Sequence, residues 1–204
     1  MEKMFQKVIE GDNEGVKTSV REALNAGMDA QQLINEGLIK AMDEVGSRMK
    51  NGDMFVPEVL VSADAMKDGL EILNEVLGEQ RESKGKILLG TVAGDLHDIG
   101  KNLVGMMLES AGFEVIDMGI DVPTEKFAEA VKEHQPHILG LSALLTTTMQ
   151  AMKDTVDTLK NNGFQGKIVV GGAPINQSFA DEIGADGYSP DAARAVDLCQ
   201  ELLS

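Results

Sequence analysis

The sequence predicts a two-domain α/β protein, in which a helical bundle is followed by a doubly wound parallel sheet. Residues 1 to about 80 show helical periodicity and almost no strand pattern. From Lys86 onward, short apolar runs alternate with amphipathic helical patterns, which is typical of a parallel sheet covered on both faces. The polar segment Glu79–Gly85 lacks periodicity and indicates a linker. We therefore expect a helical domain over residues 1–83 and an α/β domain over residues 84–204.

The predicted helical domain is a bundle of about four helices on short connections. Its helical patterns comprise a short opening segment followed by residues 13–27, 29–51 and 56–77. Gly27 ends the second pattern, and Asp29 is a suitable N-cap for the third. Pro57 lies in the first turn of the last pattern, where the N–H that proline lacks would have no partner within the helix. These starts and stops define a four-helix bundle.

The second half contains the alternation that specifies a parallel sheet. Apolar runs predict strands at residues 86–92, 113–119, 137–144, 167–172 and 185–189. Amphipathic patterns predict helices at residues 102–111, 124–135, 147–161, 177–183 and 191–203. In such a sheet the carboxyl ends of the strands form one rim, and ligands bind there. We therefore looked for chemistry in the segments that follow the strands.

Composition excludes several classes of partner and location. The formal net charge is −16, tryptophan is absent and no block of Lys and Arg occurs, so a nucleic-acid partner is not expected. The single cysteine, Cys199, cannot form an internal disulfide, which is typical of a reducing compartment. The first residues do not resemble a signal peptide, and no apolar run reaches membrane-spanning length. We expect a cytoplasmic protein that does not enter a membrane.

The segment after the first strand carries the most informative motif, Asp95-Leu-His97-Asp-Ile-Gly100. His97 follows a carboxylate by two residues and lies at the predicted rim. An imidazole is a good metal ligand when a carboxylate holds its second ring nitrogen, because this fixes the tautomer and raises the basicity. Asp95 is the nearest candidate for that carboxylate. Taken alone, His97 could also be an ordinary loop histidine.

Two further segments meet this motif at the rim. Ser142, Thr146, Thr147 and Thr148 supply hydroxyl groups just past the third strand. The pair Gly171-Gly172 follows the fourth strand and lacks side chains, so a bulky flat ligand could approach the backbone. A tight turn and helix caps are the alternative explanations for these two segments.

The other two histidines are predicted to lie away from this rim, and the common nucleotide-binding motifs are absent from the sequence. His134 and His137 flank Pro136 at the start of a strand, so they belong at the opposite, amino edge. A joint three-histidine metal site is therefore not expected. The turn after the first strand does not match the dinucleotide fingerprint, and no phosphate-binding Gly-Lys-Ser/Thr motif occurs.

Together these segments resemble the signature of B12-binding domains. The signature residues are Asp95-x-His97-x-x-Gly100, then Ser142-x-Leu144, then Gly171-Gly172. Upstream, segment 51–58 within the predicted bundle looks like the cap module of methionine synthase. It looks closer still to the free-standing corrinoid proteins of anaerobic methyltransferase systems. The resemblance covers nearly the whole chain and implies a four-helix cap followed by a flavodoxin- or Rossmann-like five-stranded sheet.

The resemblance also implies a cofactor and roles for particular residues. Cobalamin, with methylcobalamin as the working form, would bind between the two domains with His97 as lower axial ligand to cobalt. Asp95 would accept a hydrogen bond from His97, and Thr148 would complete the relay at a position where methionine synthase has serine. Met54 and Phe55 would shield the upper face, although membership of the bundle core explains each of them equally well. The remaining implied cofactor contacts are Gly94, Leu96, Asp98, Ile99, Gly100, Ser142, Leu144, Thr146, Gly171 and Gly172.

A methyl carrier is the function that the resemblance implies. Such a protein takes a methyl group from a substrate-specific methyltransferase for methylamines, methanol, aryl methyl ethers or betaines. It delivers the group to an acceptor methyltransferase that uses tetrahydrofolate or coenzyme M, and a reductive activation protein maintains it. The chain alone is not expected to be catalytic. The alternatives are a B12-dependent sensor or regulator, and the small subunit of an adenosylcobalamin mutase, which normally lacks the helical cap.

Overall fold

The amino-terminal part of the chain folds as a helical unit, as predicted. The structure is a computed structural model that describes residues 1–77 and 83–204. The helical unit comprises Met1–Lys84 together with Glu109–Gly112, and the second unit comprises Gly85–Leu108 and Phe113–Ser204. Most of the predicted linker, residues 79–82, lies outside the described residues.

The helices of the first unit begin and end close to the predicted positions. They are α1 (Glu2–Ile9), α2 (Asn13–Asn25), α3 (Ala30–Leu33), a π-helical segment (Ile34–Ile39), α4 (Lys40–Asn51) and α5 (Val56–Leu77). The Asp12 and Asp29 carboxylates cap α2 and α3 by accepting hydrogen bonds from backbone N–H groups. Gly52 adopts a left-handed conformation, φ +80°, and ends α4. These local capping interactions therefore set where α2 and α3 begin and where α4 ends.

The π-helical segment Ile34–Ile39 was not predicted. The sequence indicated one continuous helix over residues 29–51, whereas the backbone widens between α3 and α4. Ile34, Leu38 and Ile39 are all buried in this segment. Gly37 packs against the end of the Met4 side chain, which occupies the space of a Cβ atom. The wider turn thus accommodates several buried side chains and the Met4 methyl group together.

The second unit is a parallel five-stranded sheet with the order β2-β1-β3-β4-β5. The strands are β1 (Lys86–Thr91), β2 (Glu114–Asp117), β3 (Ile138–Ser142), β4 (Lys167–Gly171) and β5 (Gly187–Ser189). This is the doubly wound order of flavodoxin-like sheets, and it confirms the predicted fold class. All strands are parallel, but the side on which successive strands are added changes between β1 and β3. The loops after these two strands therefore border the crevice where ligands bind in such folds.

Helices cover the sheet and complete its core. They are α6 (Ile99–Ser110), α7 (Thr124–His134), α8 (Met149–Asn161), α9 (Gln177–Ile183) and α10 (Ala192–Leu202), and a 3₁₀ turn (Thr146–Thr148) precedes α8. The core contains Leu88, Phe127, Leu139 and Val170, each almost completely buried. Near-continuous apolar strands are expected when both faces of a sheet are covered. Among the described residues, no helix is both long enough and apolar enough to cross a membrane.

Several element boundaries near the rim differ from the prediction, among them the starts of α6 and α8 and the end of β3. Helix α6 begins at Ile99 and not at residue 102, so Ile99 and Gly100 belong to its first turn. Helix α8 begins at Met149, after the 3₁₀ turn of threonines. Strand β3 ends at Ser142, because the following residues leave the ladder and turn toward the loop after β1.

The single cysteine lies inside the second unit. Cys199 is in α10 and only 2% of its surface is exposed. Burial raises the pKa of its thiol to about 12. The sulfur is therefore protonated at neutral pH.

Candidate functional site

The candidate site is built by the loop that follows β1 and the segment that follows β3. Thr91, the last residue of β1, donates its hydroxyl to the His97 carbonyl oxygen at 2.9 Å. This contact folds the loop back onto the strand that precedes it. Gly94, with φ +80°, supplies the left-handed conformation that the turn requires. The loop thus presents Asp95 toward the protein interior and His97 toward its surface.

His97 and Asp95 form a hydrogen-bonded pair. The distance between His97 Nδ1 and Asp95 Oδ1 is 2.7 Å. The His97 backbone N–H donates to the same oxygen at 3.1 Å. Because the carboxylate accepts, Nδ1 carries the proton in this tautomer and Nε2 retains its lone pair. The ring is 49% exposed, whereas the Asp95 side chain has no exposed surface. A basic nitrogen is therefore available at the surface on a ring of fixed orientation.

The second Asp95 oxygen binds the segment after β3. Oδ2 accepts hydrogen bonds from the Thr148 hydroxyl at 2.7 Å, the Leu144 N–H at 2.7 Å and the Leu145 N–H at 3.2 Å. Burial alone would raise the pKa of Asp95, but these donors and His97 together hold that pKa well below its usual range. Asp95 is therefore ionised at neutral pH and joins the two loops at the crevice.

The Thr148 hydroxyl has a second acceptor. It lies 2.8 Å from the Leu145 carbonyl oxygen, so its single hydrogen is shared between this oxygen and Asp95. Thr148 is buried at the end of the 3₁₀ turn, whereas Thr146 at its start is exposed. Of the hydroxyl residues that the sequence singled out, Thr148 is the one that meets Asp95.

Leu144 and Leu145 contribute to the site through their backbone. Leu144 was predicted as a cofactor contact and not as a donor to Asp95, and Leu145 was missed. Every residue other than proline carries a backbone N–H, so the residue type gives no signal for this role. The proximity of Leu145 to the predicted Leu144 was the one available clue. Their side chains point outward and are 42% and 40% exposed, respectively.

Several exposed apolar side chains lie on the segments that follow the strands at the same end of the sheet as His97. We call this group the rim patch, and it consists of Leu96, Ile99, Ile120, Leu144 and Leu145. These residues follow β1, β2 and β3 at the carboxyl end of the sheet. Ile99 is 81% and Leu96 is 66% exposed. Clustered exposed apolar side chains indicate a binding surface. Ile120 was missed, although its place directly after β2 and Gly119 could have indicated it.

The glycines of the rim differ in their surroundings. A Cβ atom on Gly100 would have no other atom within 4 Å, so this position is open. A Cβ atom on Gly172, whose φ is +125°, would overlap the Ala143 carbonyl oxygen. The neighbouring backbone therefore already explains why Gly172 is a glycine. For Gly171 the Cβ atom would lie 3.2 Å from the Ser189 carbonyl oxygen.

The remaining predicted residues occupy varied positions. Ser142 ends β3 in register with Thr91 and Gly171, and Asp98 accepts a hydrogen bond from the Asn102 amide at 3.1 Å. In the helical unit, Met54 is buried, which favours its role in the bundle core. Phe55, at the start of α5, is 67% exposed.

The other two histidines lie at the amino edge of the sheet, as predicted. His134 ends α7, and His137 Nδ1 accepts a hydrogen bond from the Lys86 N–H at 3.0 Å, beside the start of β1. Within the described ranges, no group of three or more His, Cys, Asp and Glu side chains is arranged to hold a metal ion.

Comparison with known families gives two matches that together span most of the chain. A family model described as a B12 binding domain matches residues 85–197. A second family model with the same description matches residues 1–74. The first match contains all the residues of the Asp95 and His97 site.

Relatives of known name match this chain along its whole length. A corrinoid protein of Desulfitobacterium hafniense (strain Y51) is 43% identical over 100% of this chain and 97% of its own length. Dimethylamine corrinoid protein 1 of Methanosarcina acetivorans is 42% identical over 100% of this chain and 97% of its own length.

Two solved structures also match nearly the whole chain. A chain of the methanol:cobalamin methyltransferase complex from Methanosarcina barkeri matches with a TM-score of 0.91 and 35% identity, covering 98% of this chain and 78% of that chain. A cobalamin-binding protein from Desulfitobacterium hafniense DCB-2 matches with a TM-score of 0.82 and 35% identity, covering 98% and 97% of the two chains.

Proposed function

Because this chain belongs to the B12-binding family of corrinoid proteins, we propose that it binds cobalamin through His97 and carries a methyl group between methyltransferases. The observation that carries this proposal is the His97–Asp95–Thr148 arrangement at the crevice of the sheet. It leaves a basic imidazole nitrogen at the surface, which is the donor that a single axial position on a metal requires.

The surroundings of His97 fit a large macrocyclic cofactor. The rim patch offers exposed apolar side chains at the same end of the sheet as the imidazole. Gly100 leaves open space in the first turn of α6. One neutral nitrogen donor with a buried carboxylate behind it suits a metal whose other ligands come from the cofactor itself. Within the helical unit, Met54 is buried and serves the bundle core, whereas the Phe55 side chain is exposed.

The residues of the site fix the proton and the orientation of the imidazole. The ionised Asp95 carboxylate holds the proton on Nδ1, which increases the electron density on Nε2. Thr148 and the two leucine N–H groups keep that carboxylate in one position. Bound cobalamin supplies a cobalt that accepts and releases a methyl group, while the protein supplies binding, orientation and electrostatics.

The proposed partners are separate proteins that hold the methyl donor and acceptor. One relative is named for dimethylamine, and one matching structure is of a methanol:cobalamin methyltransferase complex. We propose a donor methyltransferase of the methylamine or methanol type and an acceptor that uses tetrahydrofolate or coenzyme M. A reductive activation protein would complete the system. The net charge of −16 favours partners with basic docking surfaces.

Reconstitution with methylcobalamin tests cofactor binding and the axial ligand. The wild-type protein, His97→Ala and the control His137→Ala are each loaded, freed of excess cofactor and examined by ultraviolet–visible spectroscopy. We expect 1:1 retention, with the features of imidazole-ligated cobalt in wild type and His137→Ala and their loss in His97→Ala. Folded wild-type protein that retains no corrinoid would overturn the proposal. Equal spectra for wild type and His97→Ala would overturn the assignment of the ligand.

Transfer of an isotopically labelled methyl group tests the carrier function. The loaded wild-type protein is mixed with an acceptor methyltransferase and either tetrahydrofolate or coenzyme M. We expect the label to leave the protein only when an acceptor enzyme is present, because the chain holds a carrier site and the partner holds the acceptor. Preferential retention of adenosylcobalamin without methyl transfer would instead favour a mutase subunit.

A further inference from the structure

We propose that Asp121 is a positioning residue for His97, which acts by fixing the backbone of the loop after β1. This inference rests on the proposed function, because its consequence is the strength of axial ligation by His97. Asp121 lies in the connection between β2 and α7 and belongs to no motif that the sequence singled out.

Asp121 is bound to the loop after β1 by two hydrogen bonds. The Gly94 N–H donates to Asp121 Oδ1 at 2.7 Å. In the opposite direction, the Asp121 N–H donates to the Asp95 carbonyl oxygen at 3.0 Å. The next residue, Val122, pairs with Val92 in an isolated parallel bridge. The connection after β2 thus continues the sheet and clamps the peptide that immediately precedes the site.

The backbone conformation of Asp121 supports a functional role. Its φ is +50°, in the left-handed region that residues other than glycine seldom occupy. In the described ranges, Gln135 is the one other such residue, and it caps the end of α7. Strained conformations of this kind persist where the surroundings determine them, and they cluster at functional sites. Glycine would fit the backbone better, so the aspartate side chain has a use that outweighs the strain.

The clamp complements the hydrogen bonds of the Asp95 carboxylate. That carboxylate is held by Thr148 and by the N–H groups after β3. Asp121 binds the main chain before and after the Asp95 Cα atom, at the Gly94 N–H and at the Asp95 carbonyl oxygen. The side chain and the main chain of Asp95 are therefore anchored by different elements. Without the Asp121 carboxylate, the Gly94 N–H loses its acceptor and the loop gains freedom, so the His97 ring spends less time in the ligating position.

Three substitutions separate this role from a general effect on folding. Asp121→Asn retains an oxygen acceptor and tolerates a left-handed φ. Asp121→Gly relieves the strain but removes the acceptor, and Asp121→Ala removes the acceptor and retains the strain. Each variant is loaded with cob(II)inamide, a corrinoid that lacks the benzimidazole base of cobalamin, so nitrogen superhyperfine splitting in its electron paramagnetic resonance spectrum reports the axial imidazole of the protein. This signal measures ligation directly and does not depend on methyl transfer.

We expect the ratio of imidazole-ligated to unligated cobalt to fall about tenfold in Asp121→Gly and Asp121→Ala, which is the effect of losing one hydrogen bond to a charged group. Asp121→Asn should stay within about twofold of wild type. If Asp121→Ala fails to fold, Asp121→Gly and Asp121→Asn decide the outcome. A ratio in Asp121→Gly that equals the wild-type ratio overturns the inference.

Two control variants address stability and strain. Asp186→Ala removes another exposed aspartate that accepts a backbone N–H, from Ile168 at 2.8 Å near the start of β4. Gln135→Gly relieves the other left-handed residue. Neither should change the splitting, and a fall as large as that of Asp121→Gly in either control overturns a specific role for Asp121. Absence of the splitting from wild type contradicts the proposed ligand itself, whereas an equal ratio of ligated to unligated cobalt in wild type and in all Asp121 variants contradicts the positioning role alone.

Discussion

The Asp95 carboxylate has no exposed surface and accepts from five donors, namely the His97 N–H and ring, the Leu144 and Leu145 N–H groups and the Thr148 hydroxyl. The spacing of Asp95 and His97 was sufficient to predict their pairing, because two residues in one loop meet without any knowledge of the fold. The partnership with Thr148 depends on strand order, and it was reached through the family resemblance. The leucine N–H donors could not be predicted, since the backbone of every non-proline residue offers the same group.

Substitution of Thr148 tests the hydroxyl that completes this set. Thr148→Val keeps the shape but removes the donor to a charged oxygen, so we expect the free energy of unfolding to fall by about 2 kcal/mol. Thr148→Ser keeps the hydroxyl and loses one methyl group, so a loss of about 0.8 kcal/mol or less is expected. Urea denaturation of the cofactor-free protein measures both values. Equal stability of the two variants would show that the hydroxyl contributes nothing.

The depressed pKa of Asp95 predicts a dependence of stability on pH. The folded protein releases this proton more readily than the unfolded chain, in which the pKa of aspartate is about 3.9. The stabilisation is therefore complete above about pH 5, and it is lost as the pH falls toward the folded-state pKa. We expect the free energy of unfolding of cofactor-free wild type to fall more steeply between about pH 5 and pH 3 than that of Asp95→Asn. Parallel curves from urea titrations across this range would contradict the interpretation.

The reversal of strand order between β1 and β3 is the feature at the scale of elements that creates the site. The alternation of apolar runs and helical patterns predicted this sheet, because both periods are visible in sequence. The π-helical segment was not predicted, since its apolar residues also fit the spacing of an ordinary helix. The early start of α6 was missed as well, although Asp98, directly before Ile99, is a residue type that is preferred at the start of a helix.

The contact between the ends of β3 and β4 can be tested at Gly172. A Cβ atom there would overlap the Ala143 carbonyl oxygen, and φ is +125°. Because a backbone atom cannot move aside as a flexible side chain can, we expect Gly172→Ala to lower the free energy of unfolding by about 2–4 kcal/mol. Gly100→Ala is the control, since its position is open and helical, and it should be neutral or stabilising by up to about 1 kcal/mol. Urea denaturation that ranks the two variants equally would contradict this explanation.

At the scale of the whole molecule, each of the two units is matched by a B12 binding domain model, and relatives match the chain along its full length. Composition, through acidity and the lack of tryptophan, led to the expectation that nucleic acid is not a partner. It could not predict the methyl donor, because in the proposed system the donor binds to a different protein. Charge alone gives the sign of a partner surface and leaves its identity open.

Cofactor binding should stabilise the whole protein by mass action. With free cobalamin at about 100 times its dissociation constant, the free energy of unfolding should rise by about 2.7 kcal/mol. For a chain of this length, that corresponds to an increase of roughly 5–11 °C in Tm. Differential scanning calorimetry of the wild type with and without cobalamin measures the increase, and His137→Ala should show the same one. An unchanged Tm in saturating cofactor would contradict specific binding to the folded state.

The buried cysteine has a consequence for the proposed transport of an electrophilic methyl group. A thiolate is a strong nucleophile and a ready methyl acceptor, whereas a thiol is not. Cys199 is the single cysteine of the chain, is 2% exposed and has a pKa of about 12. At neutral pH the sulfur is therefore held as the thiol, and it is buried in α10. In the proposed carrier role, this burial would protect the protein from alkylating its own sulfur and would preserve the methyl group for a partner enzyme.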